Sequence, residues 1–291
     1  MQPILEKYNG KNNEPMDTSK NTVESDMRLI GRIVRATRKQ LGISQIVFAR
    51  ELGLHQAALS RIENGEQNLT APQWLELCRY TKISMESIRL GYIECNTSVE
   101  LESGTRVGSF RIPSRYAQDR GTKVRSMLPI INYYADLLTP ARLDEFLASK
   151  EIDPDFFLNL ENQLNISFVY DLVTELKEKN LFKQEALDPY LNGLQDIEAH
   201  GIFHYEYDIQ RSAYDLMRSF FRNYNHYDCN SVFEFGPSRE NDRAIEFSAK
   251  PKTHLRELSK KYAALGDFQC AYRKQFLVGV SAYGGRRRKQ L

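Results

Sequence analysis

The chain has 291 residues, 41% of them apolar, 27% charged and 11% aromatic, and its 40 basic and 38 acidic side chains nearly cancel. That balance fits one large or two ordinary globular domains and excludes collagenous, disulfide-scaffold and mainly disordered chains. The longest uncharged apolar runs, such as Phe276–Val280, fall far short of the roughly 20 residues that a helical membrane span needs, so no membrane partner is expected.

Residues 1–25 are rich in Asn, Lys, Glu and Ser and lack the apolar core of a secretion signal, which predicts a mobile tail on a cytoplasmic protein. From Asp26 onward Ile30, Ile33, Val34 and Leu41 recur at helical spacing, and the helix they predict stops at Gly42. Ser44 then stands at an N-cap, Phe48, Ala49 and Leu52 make the next apolar stripe, and Gly53 ends it. A third helix is predicted from about Gln56 to Asn64, with Leu59 and Ile62 inward and Gly65 as its stop. Thr70-Ala-Pro-Gln73 reads as a capping box with Pro in the first turn of a fourth helix carrying Trp74, Leu75, Leu77 and Cys78. Ser84 caps a fifth, short helix. Together these predict an all-α, five-helix domain over residues 26–93.

The polar stretch 94–105 is short of core residues and reads as a linker. Beyond it, helical patterns fall near 123–138, 140–149, 154–163, 167–180, 184–199 and 209–223. Ser231–Phe235 and Ala244–Ala249 are strand-like, and a helix near 252–265 and an alternating stretch Gln269–Ala282 follow. Residues 106–291 are therefore expected to form a larger α+β, mainly helical domain.

The unit Ser44-Gln45 … Ala49 … Leu52-Gly53 … Leu59-Ser60-Arg61-Ile62-Glu63-Asn64-Gly65 pairs a short helix, a tight turn and a second helix that is apolar on one face only. A helix of that kind, with small residues at Ala57 and Ala58, fits a major groove about 12 Å wide. The unit resembles the phage-repressor/Cro type of helix-turn-helix, the XRE family, over about residues 27–92. The resemblance implies that Gln45 bonds a phosphate beside the N-terminus of the second helix. It also implies that Gln56, Ala57, Ser60 and Arg61 face DNA, with Gln56 suited to adenine, Arg61 to guanine or a phosphate, and the Ala57 methyl to thymine. Asn64 matches a backbone-contacting position, and Arg38 and Glu63 match a structural pair joining the first and third helices. His55 stands where the family usually has a Ser or Thr cap; it is expected to cap less well, with its imidazole in a position suited to reach a phosphate. Ile46 and Val47 are apolar where the family is usually polar, which hints at a contact with the second domain or a partner subunit.

Six basic residues and one acidic residue fall between 106 and 125, and Arg286-Arg287-Arg288-Lys289 adds a basic tail. Arg106, Arg111, Arg115, Arg120 and Arg125 are the candidate anion or effector contacts, lying along phosphates, forming an anion pocket, or simply solvated. Cys78, Cys95, Cys229 and Cys270 form no CxxC pair, and the pairs His200/His204 and His226/Cys229 suit ordinary packing better than a metal. No metal and no cofactor are implied, and with no HExxH, P-loop or GxSxG motif an enzyme is not expected. Residues 95–291 hold 27 of the 31 Phe and Tyr residues, as core or as a tyrosine-lined cavity. The expected function is a sequence-specific transcription regulator that binds double-stranded DNA as a homodimer, with a C-terminal domain that senses a small-molecule or nucleotide effector, dimerises, or both. The competing expectation is an antitoxin-like module whose large domain grips a protein partner while the DNA reader serves autoregulation.

Overall fold

The computed structural model describes residues 18–89, 91–95, 106–192, 206–207, 209, 212–224, 229–235, 247–265 and 268. They fall into two compact units, one of residues 1–117 and 138–162, the other of 118–137 and 163–291. The stretches 193–199 and 269–282, the basic run 286–289, and His200, His204 and His226 lie outside the described residues.

In the first unit, α1 (Thr18–Gln40) begins eight residues before Asp26, inside the segment expected to be tail. Once its packed part nucleates, each further residue adds one backbone bond at little cost, so the helix outruns its apolar stripe. The helices α2 (Gln45–Glu51), α3 (Gln56–Glu63), α4 (Ala71–Thr81) and α5 (Met85–Arg89) follow. Local chemistry sets their starts: the Ser44 hydroxyl accepts from the Val47 N–H at 3.3 Å, the Gln73 side-chain Oε1 from the Thr70 N–H at 2.8 Å, and the Ser84 hydroxyl from the Ser87 N–H at 3.0 Å. Ile33 and Val34 of α1, Phe48 of α2 and Leu52 at its C-cap, Leu59 and Ile62 of α3, and Leu77 and Ile88 beyond them form one core.

That core also holds Ile93 and Leu158. The Ile93 N–H donates to the Leu158 carbonyl (2.8 Å), and the Leu160 N–H donates back to the Ile93 carbonyl (3.0 Å). The unit is completed by a hairpin, β1 (Arg106–Val107) with β2 (Phe110–Arg111), by α6 (Ser114–Ala117), α8 (Pro140–Ser149) and a 3-10 helix at Pro154–Leu158 packed on α1. Segments 106–117 and 138–162, expected in the second domain, thus pack with the first.

Charge explains part of that packing. Arg32, Arg35 and Lys39 line one face of α1, and the carboxylate of Asp155, 5% exposed, accepts from Arg32 Nε at 3.2 Å and Arg35 Nε at 2.7 Å. Lys39 bonds Asp153 and lies 3.5 Å from Asp155. Burial pushes the Asp155 carboxyl up, but the hydrogen bond from Arg35 and the charges of Arg35, Arg32 and Lys39 outweigh it and hold the group below its ordinary range.

The second unit is built around α7 (Val124–Leu138), buried on nearly every side, with α9 (Ser167–Glu178), α10 (Gln184–Asn192), α11 (Ala213–Arg222) and α12 (Thr253–Lys261). Among the described residues its strands are two antiparallel pairs: β3 (Thr122–Lys123) with β4 (Gln163–Leu164), and β5 (Ser231–Phe235) with β6 (Phe247–Pro251), the latter running from Ser231 opposite Pro251 to Phe235 opposite Phe247. The fold is mainly helical with a few short strands. Of the tyrosines expected as core or as a cavity lining, several have their hydroxyls engaged internally: Tyr134 donates to Glu175 at 2.8 Å, Tyr133 to the Lys183 carbonyl at 3.1 Å, and Tyr190 to Asp136 at 2.5 Å.

Candidate nucleic-acid interface

The turn between α2 and α3 is closed by the Leu54 N–H donating to the Ala49 carbonyl at 2.8 Å. Packing on the core then divides α3 by face. Leu59, Ile62 and Glu63 are buried, Ser60 is half-buried, and Gln56, Ala57 and Arg61 are exposed, as is Asn64 at the C-cap. His55 is the exposed N-cap residue, and its side chain makes no capping bond.

One polar chain runs from the core to this exposed face. Glu63, 2% exposed, accepts from Arg38 Nε at 2.6 Å and Arg38 Nη2 at 3.0 Å. Gln45 Nε2 donates to the same carboxylate at 2.9 Å, and Gln56 Nε2 donates to Gln45 Oε1 at 3.0 Å. An ionised carboxylate only accepts, so it forces the Gln45 nitrogen inward and its oxygen outward, and that oxygen in turn draws the Gln56 nitrogen. A buried charge therefore sets the orientation of an exposed amide. Each amide nitrogen carries two hydrogens, so both side chains keep an N–H for another acceptor, and Gln56 also keeps its carbonyl oxygen. Gln45 was expected to spend its amide on a phosphate; the structure gives it the further task of orienting Gln56.

Arg61 Nε donates to Gln67 Oε1 at 3.1 Å, leaving both terminal nitrogens of the guanidinium on an exposed side chain. Ile46, in the first turn of α2, is 70% exposed, whereas Val47 is half-buried.

A family model described as helix-turn-helix matches residues 34–88. This segment is a helix-turn-helix of the XRE type. No curated protein and no solved structure matches the chain. The helix-turn-helix supports a DNA-binding regulator, and no helix among the described residues is long and apolar enough to cross a membrane.

The five arginines between 106 and 125 are divided between the two units. Arg106 and Arg111 lie opposite each other on the β1–β2 hairpin and are exposed, and Arg115 is exposed on α6 with its guanidinium 5.5 Å from the Tyr116 ring centre. All three belong to the unit that contains the helix-turn-helix, whereas Arg120 and Arg125 belong to the other. Arg120 is half-buried, and Arg125 is fully buried in the first turn of α7. Among the described residues no group of three or more His, Cys, Asp and Glu is placed to hold a metal. The role of Gln67 in holding Arg61 has no sequence signal, because it lies in a loop outside any periodic pattern. The basic face of α1 does have one, Arg32, Arg35 and Lys39 at helical spacing, but its acidic partners lie more than a hundred residues away.

Proposed function

We propose that this protein is a sequence-specific transcription regulator that reads duplex DNA in the major groove with the exposed face of α3. The observation that carries the reading is the chain Arg38–Glu63–Gln45–Gln56, which holds an exposed amide in one orientation at the start of α3. An amide with its N–H and carbonyl both available and its direction fixed suits the paired donor and acceptor of adenine. Gln56 reads a base, Arg61 forks onto guanine or a phosphate, the Ala57 methyl meets a thymine methyl, and Ser60 lies on the same face. Gln45, His55 and Asn64 approach the backbone at the two ends of α3, and the N-terminal amides of α2 favour a phosphate there.

A single reader of this size contacts few bases, so the working form is a homodimer on half-sites about 10 base pairs apart. The second unit dimerises, senses an effector, or does both, and the protein acts by binding rather than by catalysis. Selection of duplexes from a random-sequence pool by the full chain at moderate salt, with the mass of the resulting complex measured in solution, tests this. Enrichment of a paired motif bound by two chains is expected. A pool that emerges without any preference overturns the reading of α3, and a one-chain complex on an unpaired motif overturns the homodimer.

A further inference from the structure

Val107 and Phe110 close a two-residue loop, Gly108-Ser109, and Gly108 takes the positive φ of 59° that tight hairpin turns require. The hairpin is anchored by its tip and inner face. The Ser109 N–H and hydroxyl both donate to the Lys39 carbonyl at the end of α1, at 2.7 and 3.0 Å. The Phe110 ring is buried, edge-on to Phe156 at 5.8 Å, with the Lys39 ammonium 5.6 Å from its centre. Because strand side chains alternate, the same register that turns Val107 and Phe110 inward turns Arg106 and Arg111 outward.

Those two arginines are directly opposite one another, the arrangement in which like charges destabilise a strand pair. Among the described residues neither has a carboxylate partner. The hairpin does not drift from the reader, since a Cβ added to Gly42 would lie 3.5 Å from Gly108. Gly42 is two residues before Ser44, the cap of α2, whose N-terminus faces a phosphate in the function proposed above. The two arginines, without a carboxylate partner among the described residues, are thus turned outward on a hairpin whose loop abuts the chain just before the cap of α2.

We propose that the β1–β2 hairpin is a second DNA-contacting element, in which Arg106 and Arg111 neutralise backbone phosphates flanking the groove read by α3. This rests on α3 being a DNA reader. The hairpin adds affinity without reading sequence, because phosphates carry no base identity. An anion between the arginines also relieves their mutual repulsion, so the unfavourable pair in the free protein becomes favourable on DNA.

The test uses the full chain, the duplex it selects, and a scrambled duplex of about 30 base pairs, with affinity measured across a KCl series. Each phosphate neutralised contributes about −0.9 to the slope of log K against log salt. The double variant Arg106→Gln with Arg111→Gln is expected to have a slope shallower by about two on both duplexes. It should bind about 10- to 60-fold more weakly at 0.1 M salt, with the ratio between selected and scrambled duplexes unchanged. Replacing both arginines by lysine should keep the slope. Arg142→Gln with Lys260→Gln removes the same net charge from exposed positions elsewhere and should leave the slope as in the wild type. A wild-type slope in the hairpin variant, or an equal loss in the Arg142/Lys260 variant, overturns this proposal and leaves α3 as a reader. Failure of the wild type to bind either duplex overturns both.

Discussion

A carboxylate as buried as Glu63 must find donors for both of its oxygens, and it takes them from Arg38 and Gln45. Arg38→Met strands that charge and is expected to cost about 3 to 5 kcal/mol in urea unfolding of the full chain. Arg61→Ala should remove about 1 to 3 kcal/mol of discrimination at one base pair, measured as relative affinities for single-base variants of the selected duplex. Gln45→Ala should act twice, weakening binding to every duplex through its phosphate and relaxing preference at the base read by Gln56. A purely uniform loss there would show that Gln56 keeps its orientation unaided. Asp155 gives a pH dependence with a definite sign. Its carboxyl titrates lower folded than unfolded, so the stability it contributes is complete above the unfolded value of about 3.9 and is lost as pH falls through the folded value. Asp155→Asn should lower stability at neutral pH by about 2 kcal/mol and flatten the acid limb of a stability profile below about pH 4.

Two glycines meet at the tip of the hairpin with similar backbone angles, φ 68° at Gly42 and 59° at Gly108, but different neighbours. A Cβ at Gly42 finds ordinary contact with Gly108, whereas one at Gly108 runs into the carbonyl oxygens of Lys39 and Gln40. Asn tolerates the left-handed region, so Gly42→Asn should cost about 1 kcal/mol or less. Gly108→Asn should cost at least about 2 kcal/mol more, because backbone rather than a flexible side chain must move. Thermal melts of the two variants check this, and equal losses would place the hairpin away from α1. At this scale the helices were the legible part: Ser44, Thr70 and Ser84 announce their starts, and glycines 42, 53 and 65 their ends. The short 3-10 helix at Pro154–Leu158 reads from sequence as a longer helical pattern. In the chain Pro154 opens a single tight turn that Asp153 caps from its side chain.

On the scale of the whole molecule, the chain passes from one unit to the other three times, between residues 117 and 118, 137 and 138, and 162 and 163. A fragment ending at Cys95 therefore lacks Leu158 from the core and Asp153 and Asp155 from the face of α1. Its α1 amides should exchange hydrogen faster than those of the full chain, and equal protection would show that the segment 138–162 adds nothing to the helix-turn-helix. The sequence by itself determined α2 to α5, the packed part of α1, the caps at Ser44, Thr70 and Ser84, and which face of α3 is exposed, because helix periodicity, capping and the motif spacing all act within about thirty residues. Only the tertiary structure decided that 106–117 and 138–162 pack with the reader, that Arg125 is buried while Arg106 and Arg111 are exposed, and that Glu63 orients Gln56 through Gln45. Those outcomes depend on which charges and apolar groups meet across 65 to 123 residues, or on which way one amide turns, and neither leaves a periodic trace in the chain.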